Sequence, residues 1–297
     1  GHFDYNFSQI LSNSLSKGKA TAAPKVEQKA EQKTEQKSEQ KQNTQRARTM
    51  SSATYQSYTS PAGTTSQYHV YADNIDWSQP VGVVFYFDGD YNRDDVDSSF
   101  FYNPKGDTMQ GMANAAQKHN KVFVSVDTPD EFDPNKANDY ATWWENADGN
   151  GDYFRSFAQE FIADSDIDES QVWLMGYSGG AEFITYELDA DQQGTWRSGG
   201  GSIMVGGGGG KNGRMETQAP QNIKTQPMFW WVNEKDTRGA TTPEWWDALN
   251  TATAGHDWYA REGFNTQPMK IDNKDTTTPH NAHTDYDLPG ILDQLLS

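Results

Sequence analysis

Two patterns of apolar and polar positions meet near residue 65. From about residue 66 onward, short apolar runs alternate with polar, glycine-bearing loops. Val81 to Phe87, Lys121 to Val126, Gln171 to Met175, Ser202 to Val205 and Pro227 to Val232 are rich in β-branched or aromatic residues and predict strands. Between them, Thr108 to His119, Tyr153 to Ile162, Gly179 to Leu188 and Pro243 to Thr253 space their apolar residues as helices do, and Leu288 to Leu296 closes the chain the same way. Strands that read apolar almost throughout are buried on both faces. Interleaved with helices, they predict an α/β fold, a mostly parallel sheet with helices on both faces. His69 to Ala72 is expected to add an antiparallel edge strand.

Upstream, residues 27–41 repeat Glu-Gln-Lys followed by Ala, Thr or Ser, with hardly an apolar side chain. On a helix this period stacks Glu27, Glu31, Glu35 and Glu39 in one column and four lysines in another, and like charges at i,i+4 oppose helix formation. The expected organisation is a solvated, low-complexity tether over residues 1–65 and one folded domain over 66–297.

Composition sharpens this division. Apolar residues are 34% of the chain, low for one packed throughout, yet its ten tryptophans imply an aromatic core somewhere. With no cysteine, thiolate nucleophiles, disulfides and Cys-held metals are excluded. Residues 1–49 hold nine Lys/Arg against five Asp/Glu, so the overall charge of −18 leaves the remainder strongly acidic. Such a field repels nucleic acid, and no nucleic-acid partner is expected. No apolar run of about 18 residues predicts a transmembrane span. A tether suits a protein standing off from a membrane or wall, so an extracellular or envelope-associated location, with N-terminal attachment to the envelope, is the expectation.

The strongest local signal is an apolar strand, Val172-Trp173-Leu174-Met175, running into Gly176-Tyr177-Ser178-Gly179-Gly180-Ala181 and then a helix. Gly-x-Ser-x-Gly in this context holds the serine in a strained strand-to-helix turn, where small neighbours permit close approach and the helix N-terminus faces the hydroxyl. Over roughly residues 66–297 the sequence resembles the α/β-hydrolase superfamily, and within it secreted bacterial serine esterases.

The resemblance implies a carboxylic ester hydrolase that needs no cofactor, with a Ser-Asp-His order along the chain. Ser178 is then the nucleophile. The acid is expected in Asn233-Glu234-Lys235-Asp236, as Asp236 in preference to Glu234. The base is expected just before the last helix, in Pro279-His280-Asn281-Ala282-His283, as His283 in preference to His280, because it lies nearer the helix start and is less restricted by the proline. The oxyanion hole falls to the backbone amides of Gly179 and of Asp90, with Gly89 as the alternative to Asp90. Where many relatives have His-Gly, this chain has Asp88-Gly89. Substrates would be small-molecule or polysaccharide-linked esters, and the same residues would also serve an acyltransferase or peptidase, or a catalytically inactive binding module on the same scaffold.

Other features have plainer readings. Asp148-Gly149-Asn150-Gly151-Asp152 fails an EF-hand register because Phe157 falls where the bidentate glutamate belongs, which leaves a turn with Asp152 capping the next helix. His280 and His283 lack a third nitrogen or sulfur ligand at a recognisable spacing, so no metal site is expected. Gly206 to Gly210 reads as a flexible loop near the site. Of three tryptophan pairs, Trp143 and Trp144 are expected to wall the substrate site, while Trp230 and Trp231 must face opposite sides of a strand.

Overall fold

In a computed structural model of the chain, residues 49–297 are described, except 134, 137–138, 192–195, 211–217, 242 and 275–281. The glutamate-lysine repeat and His280 lie outside the described residues. The strands are β1 (Ala53–Thr59), β2 (Thr65–Tyr71), β3 (Val81–Phe87), β4 (Tyr91–Asn92), β5 (Lys121–Val126), β6 (Tyr140–Ala141), β7 (Ile167–Tyr177), β8 (Gly200–Val205), β9 (Pro227–Asn233), β10 (Asn265–Thr266) and β11 (Lys270–Asp272). The helices are α1 (Asp107–Lys118), α2 (Ala147–Ala163), α3 (Gly179–Phe183), which widens into a π turn at Ile184–Leu188, α4 (Gln221–Lys224), α5 (Ala248–Arg261) and α6 (Leu288–Leu295).

Nine strands form one sheet in the order β1-β2-β5-β3-β7-β8-β9-β10, with β11 also on β9, while β4 and β6 pair separately. β1 and β2 run antiparallel to their neighbours, and every pairing from β5 to β9 is parallel. The apolar runs sit in the middle of the sheet because both faces are covered. Val81, Val83, Phe85 and Phe87 of β3 pack into a layer with Phe154 and Phe157 of α2, Phe183 of α3 and Tyr259 of α5. Val84 and Tyr86, on the opposite face, join Met109 and Met112 of α1 and Ile291 and Leu292 of α6.

Three expectations about the elements change. The fold begins before residue 66, because β1, assigned to the tether by its polar sequence, pairs with β2 and makes β2 the second strand rather than the edge. Within β1, Tyr55 takes φ +52° at a register shift, and its amide donates to Nδ1 of the buried His69 at 2.8 Å. His69 Nε2 then donates to Phe101 O, and burial lowers the ring's pKa, so this histidine is a neutral core residue. The segment 148–152 lies inside α2, which starts at Ala147, so Asp152 pairs with Arg155 one turn on instead of capping the helix. Likewise α5 starts at Ala248, not Pro243, where Asp247 caps it by accepting from Asn250 N.

Candidate active site

β7 is eleven residues long and central, flanked by β3 and β8, so its C-terminal end emerges in the middle of one rim of the sheet. Ser178 follows it with φ +50° and ψ −119°, a conformation that costs a non-glycine residue of order 1–3 kcal/mol and persists only where the surroundings enforce it. The surroundings do so by closeness. A Cβ on Gly176 would lie 2.4 Å from Gly180 O, and one on Gly180 would lie 2.1 Å from Phe87 O, so the strand, the turn and the end of β3 fit only with glycine at both positions. Ser178 N–H donates to Val205 O at the end of β8.

The loops after β9 and before α6 bring two distant residues to this serine. Ser178 Oγ lies 2.8 Å from His283 Nε2, and His283 Nδ1 lies 2.8 Å from Asp236 Oδ2. Asp236 is fully buried and His283 nearly so, while Ser178 is half-buried and open to the rim. With Asp236 ionised, Nδ1–H donates to the carboxylate and Nε2 is left to accept the serine hydroxyl. Glu234, the alternative acid, points to solvent.

Tyrosines that sequence reasoning did not single out complete the arrangement. Tyr286 Oη donates to Asp236 Oδ2 at 2.6 Å and accepts the Asn233 amide at 3.0 Å, and burial beside Asp236 keeps this phenol protonated by raising its pKa far above the usual value. Tyr177 Oη donates to His283 O at 2.6 Å, and the two rings stack with centroids 5.3 Å apart. Nothing in the spacing of a tyrosine shows where its hydroxyl points, which is why these were not legible.

The loop after β3 crosses Ser178: a Cβ on Gly89 would stand 3.1 Å from Ser178 Cβ. Asp88 is buried and accepts from Tyr86 Oη, Ser99 Oγ, Phe101 N and Gly89 N. The Gly89 amide is therefore occupied. Those of Asp90 and Gly179 are bonded to no acceptor among the described residues. Asp90 is exposed as a residue, but its carboxyl abuts Gly179 and accepts from Trp144 Nε1 at 2.9 and 3.1 Å.

Two expectations about the surroundings are corrected. Trp143 is no substrate wall: it is buried, stacked on Phe183 at 4.6 Å and set edge-on to Phe87, so it belongs to the core beneath the site. Trp144, half-buried, does stand beside the site through Asp90. Gly206 to Gly209 is buried and held, because Glu182 of α3 accepts from the amides of Gly208 and Gly209 at 2.9 and 3.0 Å. Burial pushes the Glu182 carboxyl up to about 7 against the pull of these bonds.

No family model matches the sequence, and no curated protein matches it. Solved structures do. A poly(aspartic acid) hydrolase from Sphingomonas sp. KT-1 matches with a TM-score of 0.54 at 12% identity, over 83% of this chain and 98% of that one. A poly(3-hydroxybutyrate) depolymerase from Bordetella parapertussis matches at 0.51 and 13%, over 78% and 87%. A thermostable esterase matches at 0.52 and 13% over 81% of this chain, which spans only 62% of that esterase's length. At such identities the likeness is one of architecture, and it agrees with the strand order and the two helical layers. The chain is built on the α/β-hydrolase fold.

Proposed function

We propose that the chain is a serine hydrolase that cleaves carboxylic esters through an acyl-serine intermediate. The observation that carries this reading is the pair of 2.8 Å hydrogen bonds joining Ser178 Oγ, His283 and Asp236, with the serine at a strained positive φ. Neighbours of the same fold are named as esterases, a depolymerase and a polymer hydrolase, which supports acyl hydrolysis as the reaction class.

In this reading His283 Nε2 takes the hydroxyl proton as Ser178 Oγ attacks the carbonyl carbon. The oxygen that becomes negative is received by the amides of Gly179 and Asp90, the first carrying the positive end of α3 with it. Collapse expels the alcohol, which takes the proton from Nε2. Water then repeats the sequence on the acyl-serine, giving a carboxylic acid and restoring the hydroxyl. Asp236 stays ionised throughout, holding the ring in one tautomer and stabilising its charged form.

The test is a fluorophosphonate probe combined with p-nitrophenyl esters. Wild type is expected to be labelled once and to hydrolyse the esters, and Ser178→Ala to do neither. An unlabelled, inactive wild type overturns the reading in favour of a binding module. We also place the chain outside the cytoplasm, linked to the envelope through its N-terminal segment and acting on small or polysaccharide-linked esters. The tether-like composition of residues 27–41 supports this, and recovery of the chain in the cytosolic fraction of its native cell would contradict it.

A further inference from the structure

The serine and the two open amides account for ester cleavage, but the Asp90 side chain has no part in it. A carboxylate is the least favourable neighbour for a reaction that builds negative charge on an oxygen. Here one oxygen of that carboxylate presses against Gly179, the residue whose amide would receive the oxyanion, so closely that a Cβ there would lie 1.9 Å from it. Trp144 Nε1 donates to both oxygens and fixes the group in place. Among the described residues no lysine, arginine or histidine pairs with it. Arg93 is engaged with Asp130 and Asp139, and Lys136 with Glu145.

We propose that Asp90 selects the substrate: its carboxylate pairs with a protonated amine carried on the acyl group next to the scissile carbonyl, so that the preferred substrates are aminoacyl esters. The proposal rests on the serine-hydrolase reading and names the acyl half that reading leaves open. A carbonyl carbon bonded to Ser178 Oγ, with its oxygen at the amides of Gly179 and Asp90, presents its α substituent close to the carboxylate lying on Gly179. An ammonium there supplies the missing counter-charge and offsets the repulsion between Asp90 and the developing oxyanion. The surrounding field has the matching sign. Desolvation of the carboxyl raises its pKa to about 7, the Trp144 bond works against this, and the negative charges of Glu182, Glu145 and Asp130 add to the rise, so the free group is about half ionised at pH 7 and an ammonium beside it draws it to the ionised form. A neutral or anionic acyl group gains nothing from this arrangement.

The experiment uses the full chain and two esters of nearly equal shape, alanine methyl ester and methyl 2-methylpropanoate, which differ by an ammonium in place of a methyl group. With acid release followed at pH 7, wild type is expected to favour the alanine ester in kcat/KM by roughly tenfold, the scale of a partly solvated ion pair. Raising the salt concentration should shrink that ratio. Asp90→Asn removes the charge, so the ratio of the two kcat/KM values within that one variant should fall to near one. A wild type that hydrolyses both esters without preferring the alanine ester, or an Asp90→Asn variant that keeps the preference, overturns the proposal. Should Asp90→Asn not fold, a wild-type ratio unmoved by salt overturns it equally. A wild type that takes up no probe and cleaves neither ester brings down the hydrolase reading itself, and is thereby told apart from a failure of selectivity alone.

Discussion

Tyr286 donates its phenolic proton to Oδ2 of Asp236, the same oxygen that faces His283 Nδ1, at 2.6 Å. Both donors thus draw on one carboxylate oxygen, and Tyr286 limits how far that oxygen can move. Replacing the phenol with Phe removes the donor while leaving the ring. A hydrogen bond to a charged group contributes about 1.5–3 kcal/mol. Tyr286→Phe is therefore expected to lower kcat roughly tenfold with little change in KM, and steady-state kinetics on a p-nitrophenyl ester check it.

His283 and His280 are separated by the same test. His283→Ala is expected to lower kcat by about 10³-fold or more, and His280→Ala to have much less effect. The opposite ranking would reverse the assignment of the base.

Gly180 lies where no side chain fits, since its Cβ would meet a backbone oxygen of β3 rather than a movable side chain. Gly180→Ala is expected to cost about 3 kcal/mol of stability through forced overpacking and to abolish probe labelling. Urea denaturation measures the first and gel fluorescence the second.

Trp143 provides a check on its assignment to the core. Trp143→Ala should destabilise by about 3–5 kcal/mol, as large aromatic truncations in cores do. A variant with wild-type thermal stability and altered ester preference would return Trp143 to the substrate wall.

Glu182 makes stability depend on pH in a definite direction. Its folded pKa, about 7, lies above the ordinary glutamate value of 4.5, so between these values the folded chain binds more protons than the unfolded one. Its contribution is fully present below pH 4.5 and is lost as pH rises through about 7. Between pH 5 and pH 8 wild type should lose on the order of 2 kcal/mol from this residue. Glu182→Gln removes that component, so the difference between the two melting temperatures should change across the range. A constant difference would exclude the effect.

The central strands were legible because burial on both faces leaves little room for polar residues, as in Val81 to Phe87, every residue of which is buried. β1 was not, because an edge strand with Tyr-Gln-Ser mostly exposed is no more apolar than a linker. Ser178 announced itself through the glycines its turn requires. Asp236 was preferred to Glu234 from family resemblance, and what separates them in space is burial, which depends on how the loop folds back toward α6. Trp143 departs from the expectation because a position between strands and helices need not be exposed. The indole instead turns down onto Phe183, a contact between segments forty residues apart that no local pattern carries.

The four bonds accepted by Asp88 have a consequence for how this scaffold could change. They fasten the loop after β3 from within, through Tyr86, Ser99, Phe101 and Gly89, and none of them involves the side chain at position 90. The backbone at residue 90 is thus held by an anchor two residues away, whatever side chain position 90 carries. On the function proposed above, a lineage on this scaffold that exchanged that side chain for a neutral or basic one would change its choice of ester while the backbone at residue 90 stayed where it was.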